Sequence, residues 1–180
     1  MGLIKELSRC RKLCACVLAV LLLANMGLIF VLSSEDATTS SDRSNPIADA
    51  MVQVGEQHAT ANGGRPMIEE ERKDAVSDMQ FVVRSAAHFL EFFSLGGLAC
   101  ALLLTLRMSP WWRPVLASSV FGLLYAVLDE LHQHFVPGRS MSVLDVSLDF
   151  GGVLCGTFGA LVVVWLIGLV IRKRRNAVCS

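Results

Sequence analysis

Charged side chains are scarce in this chain. Asp, Glu, Lys and Arg make up 18% of its 180 residues, whereas 53% are hydrophobic. The sequence also lacks a glycine-rich phosphate loop, a nucleophile elbow and a basic patch of the kind that binds nucleic acid. These absences argue against a P-loop nucleotidase, an α/β-hydrolase and a nucleic-acid-binding protein. The formal net charge of zero says little, because the charges are sorted by location.

Four long apolar runs explain the scarcity of charge. Runs of about 18 or more apolar residues with few charges are typical of membrane spans. The runs cover residues 13–32, 86–106, 111–128 and 150–171. Asn25 is the one strongly polar side chain of the first run. The sequence therefore predicts an all-α integral membrane protein, a bundle of four transmembrane helices with a partly disordered external loop.

The basic residues predict the orientation of these spans. Positively charged segments stay on the cytoplasmic side. They precede the first span, flank the second connection and follow the fourth span (Lys5, Arg9, Arg11, Lys12; Arg107, Arg113; Arg172, Lys173, Arg174, Arg175). The loop at 33–85 instead carries ten acids against five bases. We therefore expect a multi-pass plasma-membrane protein with both termini cytoplasmic.

These boundaries divide the chain into five parts. A cytoplasmic basic N-terminus (1–12) is followed by the first span (13–32), the external loop (33–85), a core of three spans (86–171) and a cytoplasmic basic tail (172–180). The first span is read as uncleaved, because twenty apolar residues exceed the 7–15 of a secretory signal. None of the six cysteines lies in an external loop, which excludes a disulfide framework there.

The external loop divides into two halves. From Ser33 to about Pro66 it is rich in Ser, Thr, Asp, Asn and Gly and poor in aromatic residues, so we expect that this half cannot fold alone. Pro66 and the three acids that follow Ile68 are instead typical of a helix N-terminus. We expect an interfacial helix or a helical extension over residues 67–84 that runs into the second span.

Polar residues recur at helical spacing near one end of the last three spans. His88 and Glu91 are three apart, as are Asp129 and His132, so each pair shares a helix face. Ionisable groups within a span are costly and are candidates for function. The predicted topology places all of the following at the external leaflet: His88, Glu91, Asp129, Glu130, His132, Gln133, Arg139, Asp145 and Asp149.

These residues resemble a known family. A His-x-x-Glu pair opens the second span, Asp-Glu-x-His-Gln-x-Phe-x-Pro-Gly-Arg occupies 129–139, and Asp145 and Asp149 precede Gly152. This order, within residues 84–159, is similar to that of VanZ-like membrane proteins, and residues 28–34 resemble the family's first span. The resemblance implies an integral envelope protein, in a family named for a member associated with glycopeptide (teicoplanin) resistance.

Three interpretations of the polar residues stay open. His88, Glu91, Asp129 and His132, with Asp145 or Asp149, could bind a divalent metal, because nitrogen and oxygen ligands from neighbouring helices suit zinc or manganese. His88 or His132 could instead act as a general base on a lipid-linked cell-wall precursor, with Arg139 holding a phosphate. The third interpretation is a hydrogen-bonded network that locks the helix ends, or a partner-binding surface, without catalysis.

The remaining partners are the bilayer lipids, and we expect no nucleic acid. The fourth span contains Gly152 and Gly156 at GxxxG spacing, which permits close helix packing. Packing within one chain is favoured over dimerisation, and the oligomeric state stays open.

Overall fold

The computed structural model describes the backbone of residues 2–178 and the side chains of residues 9–173. Within that part of the chain the regular elements are five helices: α1 (Gly2–Ser33), α2 (Ala37–Ala61), α3 (Glu69–Thr105), α4 (Trp112–Gln133) and α5 (Val143–Val178). Four of them, α1, α3, α4 and α5, are long and apolar enough to cross a membrane. The predicted all-α bundle with four transmembrane helices is confirmed.

The loop between the first two spans differs from the expectation. Its first half, expected to be disordered, forms α2, and Asp36 caps that helix by accepting a hydrogen bond of 2.7 Å from the Thr39 amide. Ser44, Ala48 and Val52 are four residues apart and form one buried face. The segment packs against the first half of α3. Composition showed too little apolar surface for an independent fold, but it could not show that α3 would supply the other side.

Ion pairs fix α2 against α3. Arg72 donates to Asp49 over 2.7 Å and lies 4.0 Å from Glu56. The acids of the loop therefore meet a base on the adjoining helix. The expected helix at 67–84 is present as the first half of α3, which continues without a break to Thr105.

Helices α3 and α5 form the closest pair of the bundle. A Cβ atom built on Gly96 would overlap the backbone of Val153, and one on Gly152 would overlap the carbonyl oxygen of Phe89. Gly156 faces the carbonyl oxygen of Phe93 in the same way. The GxxxG pair therefore brings two helices of one chain into backbone contact, which is how small residues promote association inside a bilayer.

A core cluster joins all four spans. Ile29 on α1, Phe92 and Leu95 on α3, Ala126 on α4 and Val153 on α5 are completely buried. The outward faces of α1 and α5 carry mostly exposed Leu, Val and Ile, as expected of surfaces that contact lipid.

Helix α1 is attached to this core by polar contacts. Asn25 donates to the carbonyl oxygen of Glu91 over 3.2 Å and accepts from the hydroxyl of Ser94 over 2.7 Å. The hydroxyl of Tyr125 donates to the carbonyl oxygen of Met26 over 2.7 Å. The single polar side chain of the first apolar run is thus the one that links α1 to α3.

Candidate functional site

Three helices bring ionisable side chains together at one end of the bundle. His88 on α3, Asp129 on α4 and Asp149 on α5 each offer a nitrogen or oxygen atom, and these atoms lie within 4.8 Å of one another. His88 Nδ1 is 3.9 Å from an oxygen of Asp149. We call these three residues the triad. It combines one histidine with two carboxylates, the pattern found in metal sites of helical bundles.

The acids of this region are deeply buried. Asp149 and Glu130 are 1% exposed and Asp129 is 5% exposed. Both carboxylate oxygens of Asp149 are buried without a hydrogen-bond partner. Burial of an unpaired carboxylate is costly, so this end of the bundle requires a compensating cation or proton.

Asp129 and Gln133 form a chain of hydrogen bonds. Oδ2 of Asp129 accepts from the hydroxyl of Ser33 over 3.0 Å and from the amide of Gln133 over 2.8 Å. The amide oxygen of Gln133 accepts from Arg139 over 2.8 Å. This chain connects the end of α1, the last turn of α4 and the loop before α5.

Glu130 fixes the start of α5. Its carboxylate accepts a hydrogen bond of 2.8 Å from the backbone amide of Ser142. The hydroxyl of Ser142 accepts in turn from the amide of Asp145 over 3.3 Å, an arrangement typical of serine at a helix N-terminus. Asp145 is half-buried and lies one turn before Asp149, at the rim of a small pocket of about 40 Å³.

His132 and Glu91 lie outside the triad. His132 stacks on Phe30, with ring centroids 4.7 Å apart, and shares a hydrogen bond of 3.1 Å with the hydroxyl of Ser34. It therefore faces α1. Glu91 lies next to the core on α3, with one buried carboxylate oxygen that has no partner. The structure thus brings His88 and Asp129 together with Asp149, and places the other two predicted metal candidates elsewhere.

A cleft of about 150 Å³ adjoins the triad on the side of α1 and α2. His88 and Glu91 form one wall, and Leu32, Ile47, Val83 and Ala87 supply apolar surface. Three arginines also line the cleft: Arg43 from α2, Arg84 from α3 and Arg139 from the loop before α5. We call it the arginine cleft.

The arginines of the cleft differ in how they are neutralised. Arg43 forms an ion pair with Glu35. Within the described side chains, Arg84 and Arg139 have no ion pair, and Nε of Arg139 is buried without a partner. Burial lowers the pKa of the Arg139 guanidinium, and the positive charge of Arg84 lowers this pKa further. The negative charges of Asp129, Glu35 and Glu130 act in the opposite direction and raise it. The cleft therefore holds two arginines without an ion pair, although the acids Glu35 and Glu91 also line it.

Sequence reasoning missed several residues of this region. Ser33 is completely buried and bonds Asp129, whereas Arg43 and Arg84 line the cleft. The similarity of residues 28–34 to the family's first span was the available signal for Ser33. Arg84 stands immediately before the second span, and its place among the five bases of the external loop did not mark it as a candidate. No comparable signal marked Arg43, because α2 was not expected.

The fold and the buried polar end define a multi-pass, all-α membrane protein. The chain belongs to the VanZ/LLP1 family, whose model matches residues 18–167. This match confirms the resemblance seen in the motifs and extends it across α2. No curated protein and no solved structure matches the chain.

Proposed function

We propose that this protein binds the phosphate group of a lipid-linked cell-envelope precursor in the arginine cleft, at the external leaflet. The observation that carries the proposal is the pair Arg84 and Arg139, which line the cleft without an ion pair. Guanidinium groups bind phosphate in a bidentate manner, and such charge-assisted hydrogen bonds are among the strongest in proteins.

The walls of the cleft suit a lipid. Leu32, Ile47, Val83 and Ala87 provide apolar surface next to the arginines, and Ile47 is 53% exposed. A lipid phosphate lies at the boundary between water and hydrocarbon, so a protein site that binds it needs both charged and apolar walls. The cleft of about 150 Å³ is several times the roughly 30 Å³ share of one water molecule, and can admit a phosphate group.

His88 would serve a chemical step if the precursor is modified as well as bound. It lines the arginine cleft and also belongs to the triad, so it is the triad residue that would contact a precursor bound in the cleft. A link to glycopeptide resistance rests on the association of the family with such resistance. Binding of an envelope precursor is the activity that connects this association with the cleft.

The proposal requires the polar end to face outward, as the distribution of basic residues indicates. Ser140 is exposed in the loop between α4 and α5, and Ser109 lies in the connection between α3 and α4. A membrane-impermeant thiol reagent applied to intact cells is expected to label Ser140→Cys and not Ser109→Cys, each measured against the unsubstituted chain. Labelling of Ser109→Cys alone would contradict the orientation.

Binding is tested with the purified protein in nanodiscs. Native mass spectrometry is expected to show a polyprenyl pyrophosphate bound to the unsubstituted chain, whereas polyprenol with the same tail binds at least tenfold more weakly. Arg84→Gln is expected to weaken pyrophosphate binding at least tenfold, because it removes a charge-assisted contact of about 1.5–3 kcal/mol.

The matched control is Arg113→Gln. Arg113 follows the connection between α3 and α4 and donates to the carbonyl oxygen of Ser109, away from the cleft. Its substitution is expected to leave binding unchanged. Equal binding by Arg84→Gln and the unsubstituted chain, or equal binding of polyprenol, would contradict the proposal.

A second candidate is a membrane module in which the polar end is structural. The observation that favours it is the hydrogen-bond chain from Ser33 through Asp129 and Gln133 to Arg139, which ties α1 to the loop before α5. Such a network stabilises the arrangement of helices without a ligand. It leaves the free charge of Arg84 and the unpaired Asp149 without a role.

A further inference from the structure

We propose that His88, Asp129 and Asp149 bind one divalent transition-metal ion, with zinc preferred over manganese. The inference does not depend on the lipid ligand, because the metal would lie in the triad and the phosphate in the arginine cleft. It also differs from the sequence hypothesis, which grouped Glu91 and His132 with His88 and Asp129.

The distances within the triad fit a shared ion better than direct contact. His88 Nδ1 and the nearer oxygen of Asp149 are 3.9 Å apart, beyond the range of a hydrogen bond. Ligand atoms around one zinc ion at about 2.0–2.2 Å lie about 3–4 Å from each other. The atoms of the triad, all within 4.8 Å, need only a small inward movement to surround an ion.

The Asp149 carboxylate is a second and independent reason to infer a bound metal, because it has no hydrogen-bond partner. Its side chain is 1% exposed, and neither oxygen has a hydrogen-bond partner. Arg139 does not pair with Asp149, because it donates a hydrogen bond to Gln133 and lines the arginine cleft. Among the described side chains, an uncompensated buried carboxylate therefore lies directly beside His88 and Asp129. A divalent cation would compensate both acids at once.

Asp129 is already oriented as metal ligands usually are. Both of its hydrogen bonds, from Ser33 and Gln133, reach Oδ2, so Oδ1 remains available. Donors behind a ligating carboxylate fix its direction and tune the metal. Removal of these donors is therefore expected to weaken metal binding without removing a ligand.

The donor set indicates which metal is bound. One imidazole nitrogen and two carboxylate oxygens suit zinc or manganese. Of these two metals, the Irving–Williams order gives zinc the higher affinity. Three protein ligands with a free fourth position are typical of zinc sites that bind water or substrate. The pocket of about 40 Å³ beside His88, Glu130 and Asp149 has room for such a water molecule.

The first test measures metal content and affinity. The full chain, purified in detergent and stripped with a chelator, is expected to take up one equivalent of zinc in isothermal titration calorimetry, with manganese bound more weakly and magnesium not detectably. His88→Asn and Asp149→Asn are each expected to weaken zinc binding at least tenfold. His132→Asn is the matched control, because it removes a histidine at the same end of the bundle that contacts Ser34 instead.

Two results would overturn the proposal. One is the absence of a stoichiometric site in the unsubstituted chain. The other is equal loss of zinc affinity in His132→Asn and His88→Asn. If Asp149→Asn does not fold, zinc K-edge absorption of the unsubstituted chain decides: one imidazole and two or more oxygens are expected, and a shell without imidazole contradicts the assignment.

The lipid proposal can fail separately. Arg84→Gln should retain full zinc affinity while losing the pyrophosphate lipid, because Arg84 lies in the cleft and not in the triad. Zinc binding that persists when no lipid binds would sustain the metal site and refute the phosphate site.

Discussion

Gly156→Ala is expected to destabilise the protein by about 3 kcal/mol, because a Cβ atom here makes the shortest contact found for any glycine in the described part of the chain. A Cβ atom at this position would overlap the carbonyl oxygen of Phe93 on α3. Backbone cannot move aside as the end of a flexible side chain can, so α3 and α5 must separate. The separation would also move Asp149 away from His88, and zinc affinity should fall with stability.

The matched control is Gly168→Ala on the same helix. Nothing lies within 4 Å of a Cβ atom built there. Its free energy of unfolding is expected to stay within about 0.5 kcal/mol of the unsubstituted protein. Unfolding by denaturing detergent measures both variants. Equal stability of the two would show that α3 and α5 do not pack through these glycines.

Phe92→Ala is expected to cost about 3–5 kcal/mol, the range for removing a buried phenyl ring and leaving a cavity. Phe92 is completely buried between residues of all four spans and lies against Tyr125, with ring centroids 6.2 Å apart. Tyr125 holds α1 through Met26, so the cavity would also loosen that attachment.

Phe158→Ala serves as the control for this substitution. Its ring on α5 is 57% exposed and faces outward, where lipid replaces it at little cost. A loss of stability in Phe158→Ala that equals the loss in Phe92→Ala would indicate that the core lies elsewhere. Thermal unfolding followed by circular dichroism compares the two variants.

The four spans were predictable because each needs only a long apolar run and few charges. The role of Asn25 was not, since a polar side chain in a span can face any neighbour, and only the rotation of α1 places it on Glu91 and Ser94. Helix α2 was missed for a similar reason. Its buried face of Ser44, Ala48 and Val52 is only weakly apolar, and α2 packs against α3.

The sequence identified residues that lie together at one end of the bundle, but only partly which of them face one another. Spacing by three showed that His88 and Glu91 share a face, yet it could not show that only His88 meets α4 and α5. Asp129 and His132 also share a face, but His132 contacts Phe30 and Ser34 at the end of α1. Asp149 lies beside His88 because the glycines of α5 let this helix pack closely against α3.

The two proposed sites differ in their chemistry. The triad gathers buried negative charge with one histidine, whereas the arginine cleft gathers positive charge beside apolar wall. His88 lies between them and belongs to both. A phosphate held by Arg84 and Arg139 would therefore lie close to a metal held by the triad, which is the arrangement in which a metal can polarise a phosphoryl oxygen.

We propose that the polar end binds an anionic lipid and does not merely lock the helices. The most direct measurement is the unfolding temperature of the unsubstituted chain with polyprenyl pyrophosphate and with polyprenol. At a concentration one hundred times Kd, the pyrophosphate lipid is expected to stabilise the protein by about 2.7 kcal/mol. Polyprenol at the same concentration, bound at least tenfold more weakly, should stabilise the protein by about 1.4 kcal/mol at most. Arg84→Gln should remove the difference between the two lipids. Equal stabilisation by the two lipids, or none by either, would contradict the account.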